Sequence, residues 1–304
     1  MKFSKLQATG NDFILVDARN MEQNWANLAQ TICQRHFGIG ADGLILVQNS
    51  NIADLKMRMF NPDGSEAETC GNGLRCFTKY TIEKGIADKV SLRAKRDNLC
   101  LAIETLSGIR KTTPYMSENK INRVEVSMGL PQFEPEQIPV ALTRDAIASR
   151  SASVIASNKV TKQSPIITYQ LTTDSYQLSV CLLSMGNPHA VSFTSHPVAS
   201  FPLTKIGPEV ERHPLFPRRT NFEIARVLDR RRIKARVWER GTGETLACGS
   251  GACAIAVAAQ LLNYVNQQVD ITLPGGTLTI YWDRVGEVLL SGPVEKVFTG
   301  EYPT

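Results

Sequence analysis

Apolar and polar positions along the chain repeat with two periods, and together they predict alternating strands and helices. In residues 54–60, Leu55, Met57 and Met59 alternate with Lys56 and Arg58, the signature of a strand with one buried face. Residues 2–8 and 13–17 also read as strands. Between 22 and 35, Trp25, Leu28, Ala29 and Ile32 recur at helical spacing and predict a helix. A second helix is predicted over 74–84, closed by Gly85. Strands are expected near 90–94, 99–105 and 123–127. From 131 to 165 the pattern fades into a Pro-, Ser- and Ala-rich stretch, expected to be an exposed insertion that carries no chemistry. Strands resume at 166–172 and 176–183. Residues 227–238 predict a hairpin with Arg230, Arg231 and Arg232 at its turn.

Composition narrows this picture. A 304-residue chain that is 42% hydrophobic and 21% charged is globular, and at this length two domains are the default. The formal charge of +5 is too mild to call for nucleic acid. The arginine run has no interleaved aromatics and reads as a solvated tip. The start, MKFSKLQATG, has no apolar core of a secretory signal, which predicts a cytoplasmic protein. The apolar stretch 252–262 is broken by Gln260 and is far short of the roughly 20 residues a membrane span needs. The 7 cysteines are Cys33, Cys70, Cys76, Cys100, Cys181, Cys248 and Cys253. Their odd number and lack of C-x-x-C spacing fit a reducing compartment and no zinc ribbon.

An internal repeat changes the picture further. ETCGNGLRC at 68–76 resembles LACGSGACA at 246–254, and TGNDFIL at 9–15 resembles MGNPHAV at 185–191. The two pairs lie at nearly the same offset and in the same order, which favours a duplicated unit over chance. Each Cys-Gly-x-Gly opens a helix-like segment. There, free backbone N–H groups and the helix dipole stabilise a thiolate and bind anions. Two copies related by a pseudo-two-fold axis would set Cys70 and Cys248 on opposite walls of one cleft. The other five cysteines lie within helix or strand patterns and are read as packing.

Two such groups on opposite faces of one carbon perform stereoinversion: a thiolate removes the α-proton and a thiol delivers one to the other face. The helix N-termini would hold the α-carboxylate. No lysine sits in either motif, so a Schiff-base cofactor is not suggested.

These stretches resemble the diaminopimelate epimerase family. The matching segments are GNDF (10–13), GIGADG (38–43), FNPDGSEAETCGNGLRC (60–76), MGNPHAV (185–191), RTNFE (219–223) and ERGTGETLACGSGACA (239–254). The resemblance implies a cofactor-independent enzyme that interconverts LL- and meso-diaminopimelate, a small-molecule substrate, in the biosynthesis of lysine and peptidoglycan precursors. It implies an α/β (α+β mixed) fold of two pseudo-symmetric domains, each a curved mixed sheet wrapped around a central helix, and a homodimer. On that basis the first domain is 1–123 with the C-terminal strand 294–304, and the second is 124–293 with the insertion near 131–165.

Matched residue by residue, Cys70 and Cys248 correspond to the acid/base pair. Gly71, Asn72, Gly249 and Ser250 correspond to the groups holding the α-carboxylate. Asn11, Asn61, Asn187, Asn221 and Arg240 correspond to residues fixing the substrate and its distal end, and His189 and Glu239 flank the reacting centre. Some family members carry a Gln at the position of Gly43, so that contact is absent here. Without the resemblance, the asparagines read as turn formers, Glu239-Arg240 as a surface pair and His189 as a loop histidine.

Three other readings compete. A proline-type racemase or phenazine-type isomerase would share the architecture, but ERGTGET before Cys248 favours the epimerase. A non-catalytic amino-acid-binding protein is disfavoured by the intact cysteines. A thiol redox or metal protein could be built on His189 and the two cysteines, but the spacing lacks a fourth ligand.

Overall fold

The computed structural model describes residues 1–68, 70–87, 99–118, 120–142 and 166–303. The chain divides into two compact units, Met1–Ser127 with Leu290–Thr304, and Met128–Leu289. Both are built mainly of strands in mixed pairing, with four α-helices among the described residues.

In the first unit, Lys2–Ala8 turns into Asn11–Asp17 through Thr9 (φ 52°) and Gly10 (φ 85°). Two consecutive positive φ values make the turn of a two-residue hairpin. Helix α1 (Trp25–Ile32) then carries the chain to Gly43–Gln48, which runs parallel to Asn11–Asp17 with Phe13 opposite Gly43. This helix is shorter than the predicted 22–35. Asn24 starts it by accepting the Asn27 N–H, and Cys33 ends it. Gly43–Gln48 pairs antiparallel with Leu55–Phe60, whose end takes the short return strand Glu66–Ala67. Helix α2 (Gly71–Glu83) follows, beginning three residues before the predicted start because Cys70 caps it.

Leu101–Thr105 runs parallel to Leu55–Phe60 and leads through Gly108–Ser117 to Lys120–Ser127, each pair antiparallel. Gly108–Ser117 escaped the sequence reading. Its buried positions are Thr112 and Pro114, which give no apolar alternation. The strand predicted at 90–94 lies outside the described residues. On the opposite edge Glu295–Glu301 pairs antiparallel with Lys2–Ala8. Strands from both sides of this sheet touch α2, and the helix is buried from Gly71 through Thr81.

The second unit repeats this plan. Ile167–Thr172, Gln177–Ser184 and Pro188–Phe193 form an antiparallel meander. Pro188–Phe193 is parallel to Asn221–Asp229 across helix α3 (Leu203–Glu211). Asn221–Asp229 pairs antiparallel with Arg232–Glu239, which takes the short return strand Gly243–Thr245. Helix α4 (Gly249–Leu261) comes next, buried from Gly251 to Gln260. Gln268–Leu273 then lies parallel to Arg232–Glu239 and pairs with Gly276–Tyr281. Parallel pair, hairpin, return strand, cysteine-capped helix: the order is that of the first unit, so the sequence repeat is a structural one.

Helix α3 was not foreseen, since Gly207 and Pro208 interrupt its pattern. Gly207 is needed there, because a Cβ would fall 2.4 Å from the Trp238 ring. The expected exposure of the 131–165 insertion fails over its first part. Ile138 and Val140 are buried in the core of the second unit, with Leu182, Ile206 and Phe222, and Gln132 bridges to Ser184. Two apolar side chains among prolines suffice to dock that segment. Residues 143–165 lie outside the described residues. The arginine run turns the hairpin between Asp229 and Arg232 and is exposed, as predicted. No helix among the described residues is long and apolar enough to cross a membrane.

Candidate active site

Each unit's buried helix begins at one of the two cysteines. Cys70 is the N-cap of α2 and Cys248 the N-cap of α4, both in extended backbone (φ −146° and −120°). In both, Sγ accepts the N–H of the residue three positions on, Gly73 or Gly251, at 3.4 Å. A sulfur takes the place of the usual hydroxyl or carboxylate cap. Each thiol thus sits where helix N–H groups converge and where negative charge is favoured.

Around α2, Asn11 and Asn72 are joined: Asn72 Nδ2 donates to Asn11 Oδ1 at 3.1 Å, and Asn11 Nδ2 donates to Asp42 at 2.5 Å. Asp42 and Asp12 are both bound by Arg35, and Asp12 also by Lys5. Burial alone would raise the Asp12 carboxyl, but hydrogen bonds and charge from Arg35 and Lys5 overrule it and hold the pKa at about 2. Asn72 Oδ1 in turn accepts from Arg75, which is fully buried. Gly71 forms the first turn of α2 beside Asn72. Asn61 stands apart from this chain of contacts. It follows Leu55–Phe60 and closes a tight turn, donating from Nδ2 to Ser65 Oγ at 2.9 Å, the turn-forming role its sequence context allowed.

In the second unit, strand register assembles the site. His189 lies opposite Asn221 on parallel neighbours, and Phe222 opposite Trp238 places Asn221 level with Glu239. His189 is fully buried. Its Nδ1 is 2.7 Å from Glu223 Oε1, and its Nε2 is 2.9 Å from Asn187 Oδ1. Burial raises the Glu223 pKa against the opposing charge and hydrogen bond of His189. Asn221 Oδ1 accepts the Arg240 backbone N–H at 2.7 Å, while the Arg240 side chain is exposed and donates to the Arg218 carbonyl. Glu239, at the end of its strand, accepts from the Thr245 hydroxyl. Ser250 follows Gly249 in the first turn of α4, its Oγ 3.5 Å from Cys248 Sγ.

Cys248 departs from one expectation. A cysteine at a helix N-terminus was expected to titrate low. Instead its thiol is pushed well above the usual range, by burial first and then by the carboxylate of Glu239, with Glu223 adding to it. Desolvation and two nearby carboxylates outweigh the helix terminus.

The packing assignment holds for Cys33, Cys76, Cys181 and Cys253, all buried. Burial raises each of their thiols, Cys33 to about 12 and Cys181 to about 11. Cys100 is only half-buried, because it precedes the strand at Leu101–Thr105 rather than lying inside it. Among the described residues, no group of three or more His, Cys, Asp or Glu side chains converges as a metal site.

Two residues of the site went unassigned in the sequence, although both lie in motifs quoted for the resemblance. Glu223 is two positions after Asn221 on one strand, so both face the same side. Arg75 is three positions after Asn72 on one helix, the spacing at which side chains meet.

A family model described as diaminopimelate epimerase matches residues 3–134 and 181–297. A protein named diaminopimelate epimerase from Moorella thermoacetica is 44% identical, covering 100% of this chain and 99% of its own. Another of that name, from Methanococcus maripaludis, is 41% identical over 99% of each chain. Among solved structures, a phenazine biosynthesis protein of the PhzF family from Bacillus anthracis superposes with a TM-score of 0.67 at 17% identity, covering 100% of this chain and 99% of its own. A hydroxyproline epimerase from Agrobacterium vitis gives 0.66 at 12% identity, over 99% and 90%. These two structural likenesses show the fold.

Proposed function

The chain belongs to the diaminopimelate epimerase family, and from that membership we propose that it interconverts LL- and meso-diaminopimelate by proton transfer between two cysteines, without a cofactor. The observation that carries the proposal is the matched capping of α2 by Cys70 and α4 by Cys248. Two helix N-termini that each carry a thiol are what a symmetric proton exchange at one carbon requires.

In the proposed step, one cysteine is a thiolate and the other a thiol. The thiolate takes the α-hydrogen as a proton and becomes a thiol. The electron pair left on the α-carbon delocalises into the α-carboxylate, whose added charge is stabilised by helix N–H groups at Gly71-Asn72 and Gly249-Ser250. The other thiol gives its proton to the opposite face and becomes a thiolate. Nothing is oxidised or reduced, and the pair ends with its protonation states exchanged.

His189 and Glu239 flank the reacting centre in this proposal. The Glu239 carboxylate raises the Cys248 thiol, so it favours the acid form there. Asn11, Asn61, Asn187, Asn221 and Arg240 fix the substrate and its distal amino-acid centre. The contacts Asn11 and Asn61 make within their own unit keep these amides in place before substrate arrives. A homodimer and a cytoplasmic setting, in the supply of lysine and peptidoglycan precursors, belong to the same proposal.

The test is incubation of LL-diaminopimelate in heavy water with chiral analysis of the product. The proposal requires meso product carrying one deuterium at the inverted centre. Unchanged LL substrate, or inversion that needs an added cofactor, contradicts it.

A further inference from the structure

The two cysteine-capped helices match in backbone geometry and differ in charge. Aligning CGNGLRC with CGSGACA sets Arg75 of α2 against Cys253 of α4. Arg75 is fully buried. Its Nη1 donates to the Pro293 carbonyl at 2.9 Å, and its Nη2 to the Thr9 hydroxyl at 3.1 Å and to Asn72 Oδ1. Its Nε has no partner. All of these acceptors are neutral, and no carboxylate pairs with Arg75 among the described residues. Burial draws the guanidinium down to about 10, still well above neutral pH, so the charge stays on.

Among the described residues, the neighbouring charges in that unit are largely answered within it. On the strands packed against α2, Asp12 is held by Lys5 and Arg35, which also binds Asp42. Arg58 pairs with Glu66, and Lys56 with Glu104. On α2 itself, Lys79 pairs with Glu83. Arg123, on Lys120–Ser127, donates to Ser291 and adds a second positive charge facing Arg75. Cys76, the other thiol beside Arg75, is fully buried and its thiol is pushed up by burial. Among the described residues no anion answers Arg75, and Cys70, whose charge bears on the guanidinium, is the group at that end of the helix able to supply one. The second unit has the opposite character. The position of Arg75 holds a neutral buried thiol, and the ionisable neighbours of Cys248 include the carboxylates of Glu239 and Glu223, the latter hydrogen-bonded to the imidazole of His189.

We propose that Arg75 is a positioning residue whose buried charge makes Cys70 the thiolate, and leaves Cys248 the thiol, in the substrate-free enzyme. The inference rests on the two-cysteine reading above and deepens it. It assigns the first proton abstraction to Cys70 and the first delivery to Cys248. A stereoisomer that presents its α-hydrogen to Cys70 meets a ready base, whereas the other must wait for a proton to leave Cys248 and another to reach Cys70. Arg75 acts by field and through Asn72, without touching substrate.

The test is the pH dependence of iodoacetamide alkylation at each cysteine of the full-length protein, resolved by peptide mass. The midpoint of each profile reports the thiol itself, independent of how easily the reagent reaches it. In the unmodified chain the Cys70 midpoint is expected below that of Cys248. Arg75→Gln, which keeps hydrogen bonding and removes the charge, should raise the Cys70 midpoint by a unit or more, a loss of about tenfold in thiolate below it. Arg75→Lys should retain most of the shift, and neither variant should move Cys248. A Cys248 midpoint at or below that of Cys70 overturns the proposal, as does a folded Arg75→Gln protein with an unmoved Cys70 midpoint. If Arg75→Gln does not fold, Arg75→Lys decides, since a Cys70 midpoint there at or above that of Cys248 overturns it. The two-cysteine reading fails separately, if Cys70→Ala still epimerises. An inactive Cys70→Ala together with reversed midpoints removes only the present inference.

Discussion

His189 Nδ1 and Glu223 Oε1 are hydrogen-bonded at 2.7 Å with both side chains fully out of solvent. The parallel register of their strands sets the pair behind the start of α4. Gly251 leaves room for it, since a Cβ there would lie 2.9 Å from Glu223 Oε1. Gly251→Ala must therefore displace a buried carboxylate or the first turn of the helix. We expect a loss of about 1–3 kcal/mol in urea unfolding, the usual cost of overpacking, and a fall in epimerisation larger than that from Gly286→Ala, whose Cβ meets only the exposed Asp283 side chain at 3.4 Å. Equal effects would mean that the pair is not braced by α4.

Glu239 acts on Cys248 through charge. Burial and this carboxylate together raise the Cys248 thiol. Glu239→Gln keeps an acceptor for the Thr245 hydroxyl but removes the charge. The Cys248 alkylation midpoint should move to lower pH, Cys70 should stay where it is, and turnover should fall by about tenfold as the acid form is depleted. A midpoint that rises or stays put contradicts the assignment.

Much of this arrangement was legible in the sequence, and the reasons are physical. The Cys-Gly-x-Gly repeats mark helix starts because a cap followed by small residues leaves N–H groups accessible, and both became N-caps. The strand at Leu55–Phe60 was legible because one of its faces is wet and the other dry. Glu223 and Arg75 were not, because a charged side chain reads as exposed in a linear pattern. Only the fold shows that each is buried against a histidine or an asparagine. The docking of Ile138 and Val140 was hidden for the converse reason, since two apolar residues among prolines make no period.

Acid should loosen the first unit. Asp12 is held at about 2 by Arg35 and Lys5, below its unfolded value of 3.8. A depressed carboxyl contributes stability that is present above pH 4 and lost as pH falls through 2, because the unfolded chain takes up the proton first. The contribution at neutral pH is of order 1–2 kcal/mol, reduced for partial solvent screening. Asp12→Asn should lower the thermal midpoint at pH 7 and flatten its fall between pH 4 and pH 2. A variant with the same steep acid limb as the parent would place that transition elsewhere.

Substrate choice should depend on the distal carboxylate. In the proposed site, polar groups at Asn61, Asn187, Asn221 and Arg240 exceed what one α-carboxylate and amine can use. Leaving such a group unsatisfied where it is buried, as at Asn221, costs roughly 1–3 kcal/mol. Lysine, which lacks that carboxylate, should be racemised at a rate lower by a factor of a hundred or more, measured by α-proton exchange under matched conditions. Efficient lysine racemisation would count against the proposed roles of these residues.

The most direct test of the two-cysteine account is α-hydrogen exchange in heavy water by Cys70→Ala and Cys248→Ala, each given LL- and meso-diaminopimelate. General acid and base groups contribute about 10²–10⁴-fold, so both variants should epimerise at least a hundredfold more slowly than the parent. Cys76→Ala and Cys253→Ala, packing positions inside the helices, should keep most activity and lose about 1 kcal/mol of stability. Each single-cysteine enzyme should still exchange the α-hydrogen of one stereoisomer without inverting it, and the two should prefer opposite isomers. If Cys70→Ala epimerises at near the parent rate, or both variants exchange the same isomer, the two cysteines do not divide the faces of the carbon and the account is wrong.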